Sequence, residues 1–175
     1  AQKIKSWFPE KNSKQQIKIF TNAIKTRNID LIELVASWWD ISKVISIKEL
    51  AAAVSTGDMA VIALVRTLAP ECDTAQQFFD SKIQFNRQRP SSVAEAARWI
   101  ERQMLKVAIR TKQLAVVDLV ASWYLAPGVA QAALAQEEYV AVFIAAIKAG
   151  VVEIVERVKP WHLTLDGFQQ ALDDF

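Results

Sequence analysis

One stretch of this sequence occurs twice, and that constrains the fold more than any other feature. Ala23-Ile-Lys-Thr-Arg-Asn-Ile-Asp-Leu-Ile-Glu-Leu-Val-Ala-Ser-Trp38 returns, offset by 85 residues, as Ala108-Ile-Arg-Thr-Lys-Gln-Leu-Ala-Val-Val-Asp-Leu-Val-Ala-Ser-Trp123. Self-similarity of this kind is the signature of a chain assembled from a repeated supersecondary unit. Two shorter stretches share the pattern. They are Ala53-Val-Ser-Thr-Gly-Asp-Met-Ala-Val-Ile-Ala-Leu-Val65 and Ala146-Ile-Lys-Ala-Gly-Val-Val-Glu-Ile-Val-Glu-Arg-Val158. Each shorter copy is followed by a proline, Pro70 or Pro160, and then by a threonine, Thr74 or Thr164. Each threonine opens an apolar stretch containing phenylalanine. The chain therefore reads as helix pair, helix pair, closing helix, and then the same again.

The helical reading rests on spacing and on punctuation. Only four glycines and five prolines interrupt 175 residues, too few for the frequent turns of an all-β fold. Four capping boxes mark helix starts: Ser13 with Gln16, Ser46 with Glu49, Thr74 with Gln77, and Ser92 with Glu95. In such a box the hydroxyl accepts from an exposed backbone N–H and the acid or amide answers the cap's own N–H. The pattern predicts helices near 13–26, 29–39, 47–56, 58–68, 74–85, 92–111, 114–125, 129–135, 138–149, 151–158 and 164–174. Leu31, Leu34, Val35 and Trp38 fall on one helical face, as do Val116, Leu119, Val120 and Trp123. Small residues let helices approach closely, so Ala52, Ala53, Ala108 and Ala146 are expected to be buried. The fold class is all-α, a stack of helix pairs made of two related halves. A single helical repeat domain is expected over 1–175, with half-repeats about 1–86 and 91–175. The polar turn at 86–91 is its midpoint. The chain reads as a fragment of a larger protein.

The four copies resemble the helix pair of ankyrin repeats, whose core reads Ala-Ala-x-x-Gly-x-x-x-Val-Val-x-Leu-Leu. Ala53, Val54, Gly57, Val61, Ile62, Leu64 and Val65 follow it, as do Ala146, Ile147, Gly150, Ile154 and Val155. The departures are specific. The family's Thr-Pro-Leu-His start is absent, Arg27 and Lys112 replace the turn glycine in two copies, and Trp39 and Tyr124 stand where a glycine normally ends the second helix. The resemblance implies an α-solenoid that binds proteins or peptides across an extended surface. Ankyrin-like modules this degenerate occur in viral proteins and bacterial effectors, which implies a cytoplasmic setting, the host-cell cytosol.

Catalytic chemistry finds few footholds. His162 is the only histidine and Cys72 the only cysteine, and no nucleophile motif surrounds either. One of each cannot make a zinc site unaided. With no GxxxxGK[ST] or GxGxxG run, a phosphate-cradling loop is not expected. We therefore expect no catalytic residues, no cofactor and no metal, and we read the chain as a non-enzyme. Charged residues interrupt every apolar segment, so no membrane span is expected.

Charge carries more information in its distribution than in its sum of +2. Residues 1–27 hold seven cations against one anion, and residues 80–113 hold eight against three. The stretches between and after them are acidic. Two readings follow. The first is a protein–protein interaction module, with Trp39, Tyr124, Arg87, Arg89 and Lys112 as its contact residues. The alternative is a nucleic-acid-binding helical solenoid that uses the basic helices near 1–27 and 82–112 to neutralise phosphates.

Overall fold

The computed structural model describes residues 13–39, 45–68, 92–124 and 136–161. The helices expected near 74–85, 129–135 and 164–174 lie outside the described residues. So do Cys72, the Thr74 cap, Arg87, Arg89 and His162. The chain forms two compact units, 1–83 and 84–175. Among the described residues all regular structure is helical, and no helix is long and apolar enough to cross a membrane.

The first unit contains α1 (Ser13–Lys25), α2 (Ile29–Ala36), α3 (Ile47–Ser55) and α4 (Met59–Leu68). The second contains α5 (Val93–Arg110), α6 (Leu114–Tyr124), α7 (Gln136–Ala149) and α8 (Val152–Val158), followed by a 3-10 turn at Lys159–Trp161. Local chemistry explains where several of them start. Ser46 caps α3 and the reciprocal bond of the capping box is made, with the Ser46 N–H donating to Glu49 Oε2 at 2.9 Å. The Ser46 hydroxyl donates to the same oxygen at 2.6 Å. Glu49 is buried, and these bonds are what satisfy its carboxylate there. Ser92 accepts the Glu95 N–H at 3.1 Å and so starts α5. Ser13 is the first residue of α1 as described, not a residue preceding it.

The same turn joins the two helices of each pair. Its central residue has a positive φ in all four cases: Arg27 (58°), Gly57 (70°), Lys112 (60°) and Gly150 (71°). Its N–H donates to the carbonyl three residues back, of Ile24, Val54, Ile109 or Ile147, at 3.0–3.1 Å. A left-handed residue closes a helix by meeting carbonyls that the helix itself leaves open. In three turns a threonine bridges the reversal. Thr26, Thr56 and Thr111 each donate Oγ1–H to a carbonyl three residues back, of Ala23, Ala53 or Ala108, at 2.6–2.7 Å. The same oxygens accept the N–H of Asn28, Asp58 and Gln113 at 3.1–3.3 Å. Asn28 and Asp58 then cap the next helix, accepting from Leu31 and from Ala60 and Val61. The fourth turn is plainer, with Ala149 at the threonine position and no side-chain cap from Val151.

Packing within each unit follows one scheme. In the first, α1 touches α2 and α3, α3 touches α4, and α2 touches α4. In the second, α5 touches α6 and α7, α7 touches α8, and α6 touches α8. First helices of neighbouring pairs thus meet, and so do second helices. Ala53, Ala108 and Ala146 are fully buried and Ala23 nearly so. Ala52 is only half-buried, because it lies one residue, about 100° of helix, round from Ala53. The buried face of α2 also differs from the expected one. It is centred on Ile32, Val35 and Ala36, while Leu31 is half-buried and Leu34 is 40% exposed. α2 meets both α1 and α4, and this turns its contact arc away from Leu34. In α6 the buried set is Val116, Val117, Val120 and Ala121, with Leu119 and Trp123 half-buried.

Tyr139 ties the second unit together at its far end. Its ring is buried and stacks on Phe143, with centroids 5.5 Å apart. Its hydroxyl donates to the Lys159 carbonyl at 3.2 Å, which holds the start of α7 to the end of α8. Burial pushes the phenol up to about 12.

Candidate functional site

The second unit carries a recess of about 440 Å³ between α5, the turn that follows it, and α7. Its floor is small and apolar: Ala141, Ile144, Ala145 and Ala149, all from α7. Its cations come from three places. Lys106 and Arg110 lie one turn apart on α5, Lys112 is the left-handed residue of the turn, and Lys148 stands in the last turn of α7. Fold position explains each. Arg110 and Lys148 sit where a helix C-terminus favours positive charge. Lys112 projects from the reversal. Lys106 is one helical turn before Arg110 and so shares its face.

No acidic residue lines the recess among those described, and none of its four cations forms an ion pair there. Elsewhere in the unit the pattern is different. Arg157 meets Asp118 at 3.1 Å, joining α6 to α8, and Lys159 meets Glu156 at 3.8 Å. The recess therefore concentrates unbalanced positive charge over an apolar floor. Its effect is visible on Lys106, whose amine is held below the ordinary lysine range by burial first, then by Arg110, Arg102 and Lys148. Clustered like charges over a concave surface raise the local concentration of anions.

The residues expected from sequence are scattered over the fold. Lys112 lies at the recess and is exposed. Trp39 lies in the turn after α2, because that helix ends at Ala36 and not at 39. Trp38 N–H meets the Val35 carbonyl three residues back, which tightens the chain out of the helix. Trp39 is half-buried, and its ring meets Trp38 edge-on at 5.6 Å. Tyr124 ends α6, half-buried against Trp123 at 6.3 Å. Neither aromatic lines the recess.

Three site residues are not singled out from sequence: Lys106 and Arg110 lie within the basic stretch 82–112 of the alternative reading, and Lys148 lies outside it. A signal for two of them was present. Aligning the copies on Ala23, Ala53, Ala108 and Ala146 puts Lys25, Ser55, Arg110 and Lys148 at one position. Only the second half places cations at that position in both of its copies. The i,i+4 ladder Arg102, Lys106, Arg110 supplies the third. Among the described residues no group of histidine, cysteine, aspartate and glutamate is arranged to hold a metal ion. Set beside known proteins, the chain matches no family model, no curated protein and no solved structure.

Proposed function

We propose that this chain is a protein-interaction module, a stack of ankyrin-like helix pairs that presents a binding surface to a partner protein or peptide. The repeated turn and the shared packing scheme of the two units support the helix-pair reading. Stacked pairs of this type build surfaces wide enough to grip an extended partner. The single observation that carries the functional reading is the recess of the second unit. It combines concavity, an apolar floor and polar groups at its edge, which are the attributes of a recognition site. Nucleic-acid binding is the second reading, favoured by the four unbalanced cations.

The two readings separate in one experiment. The tagged chain is incubated with a cell lysate, with and without nuclease, and the bound material is identified by mass spectrometry. The module reading expects a discrete protein that survives nuclease. Capture that disappears with nuclease, together with oligonucleotide affinity that falls steeply as salt rises, would move the chain to the nucleic-acid class.

A further inference from the structure

The recess can be read more closely, because its two halves ask for different things from one ligand. Four cations with no acid among the described residues to balance them call for negative charge. The floor of Ala141, Ile144, Ala145 and Ala149 offers no charge and no side-chain hydrogen bond, so it calls for an apolar group. A nucleic-acid strand meets the first demand and not the second. Its backbone is polar, and its bases seek aromatic platforms, of which this lining holds none. A free inorganic anion would leave the floor wet. An acidic peptide carrying one aliphatic side chain satisfies both.

We propose that the recess takes an acidic segment of a partner protein, seating a leucine-like side chain on the α7 floor while flanking carboxylates meet Lys106, Arg110, Lys112 and Lys148. This assignment rests on the reading of the chain as a protein-interaction module and gives that reading a ligand chemistry. The geometry suits it. Cations stand on both walls, on α5 and its turn and at the end of α7, so carboxylates on either side of the seated residue find partners. Lysine and arginine stems can also cover the flanks of the apolar group while their charged heads stay in water.

The test uses fluorescence anisotropy with a labelled peptide, Gly-Glu-Glu-Leu-Glu-Glu-Gly, and the full chain. Its controls are the same peptide with serine for leucine and an oligothymidylate of equal charge. The leucine peptide is expected to bind about tenfold more tightly than the serine peptide, the worth of burying most of one aliphatic side chain. Arg110→Glu combined with Lys148→Glu, both at exposed positions, is expected to weaken binding by about tenfold or more. Ala145→Trp fills the floor and leaves every cation in place. It is expected to reduce the leucine peptide to the level of the serine peptide and to leave oligothymidylate unaffected. Circular dichroism verifies that each variant stays helical. The assignment fails if leucine and serine peptides bind alike, if Ala145→Trp binds the leucine peptide as well as the parent does, or if oligothymidylate outcompetes both. A partner captured equally well by the parent and the double variant removes the recess and leaves the module reading standing. Peptide binding without any nuclease-resistant protein partner does the reverse.

Discussion

Arg27 and Lys112 occupy a backbone conformation that L-residues with side chains resist. The left-handed region brings Cβ against the following carbonyl and costs roughly 1–2 kcal/mol. Glycine removes that strain but loses more freedom on folding. Arg27→Gly is therefore expected to stabilise the chain by about 0.5–1 kcal/mol in urea unfolding. Gly150→Ala runs the other way. A Cβ there meets nothing within 4 Å, so its cost of about 1 kcal/mol comes from φ alone. Equal stability of both variants and the parent would show that these turns relax. The sequence contained this turn in an uneven form. Gly57 and Gly150 announce a reversal openly, while Arg27 and Lys112 conceal it, and only their alignment with the glycines exposes them. The threonine bridge was visible as a recurring letter, but its double hydrogen bond was not, because no local rule names it.

Helices here are ordered by what their small residues permit. Ala53 is fully exposed to crowding from neighbouring elements, being wholly buried, whereas Ala52 is half-open. Ala53→Leu is expected to overpack the α3 contacts and cost about 1–3 kcal/mol. Ala52→Leu is expected to cost less than about 1 kcal/mol. Thermal melts of the two variants check this, and matching melting temperatures would contradict the packing described. Helix positions were readable because apolar spacing and capping residues agreed, as at Ser46 and Ser92. The rotation of each buried face was less readable. Leu34 and Ile32 are equally apolar, and only the tertiary neighbours of α2 decide which of them turns inward. The candidate site was least readable of all. Its cations come from α5, a turn and α7, and the end of a helix is an ordinary place for a lysine, so Arg110 and Lys148 gave no local sign of function.

At the scale of the whole molecule, the cation cluster of the recess bears on stability. The lowered pKa of Lys106 means that the folded chain holds this proton less firmly than the unfolded chain does. Near neutral pH both states are protonated, and the charge therefore weighs against folding. That burden lifts only as pH rises through the lowered value toward the ordinary 10.5. Lys106→Gln removes two like-charged i,i+4 pairs, those of Lys106 with Arg102 and with Arg110. It is expected to stabilise the fold at pH 7 by about 0.4–1 kcal/mol at low salt, with the gain shrinking as salt screens the cluster. Urea unfolding at two ionic strengths measures both effects. A loss of stability at low salt would mean that packing of the lysine stem outweighs the repulsion. A site that costs stability when empty and gains when filled is a common feature of residues kept for binding.

The fourth turn has a consequence for motion. Ala149 lacks the hydroxyl that bridges the other three reversals, and Val151 offers α8 no side-chain cap. The near end of α8 is thus held by backbone bonds and burial, while its far end is latched by the Tyr139 hydroxyl on the Lys159 carbonyl. Sub-global opening of this unit begins where fewest bonds must break together. Among the described turns of this unit, that place is the junction of α7 and α8, beside Lys148 and Ala149 of the recess. Opening at this junction is expected to shift the side of the recess that carries Lys148 while leaving in place the side formed by α5 and its turn, with Lys106, Arg110 and Lys112.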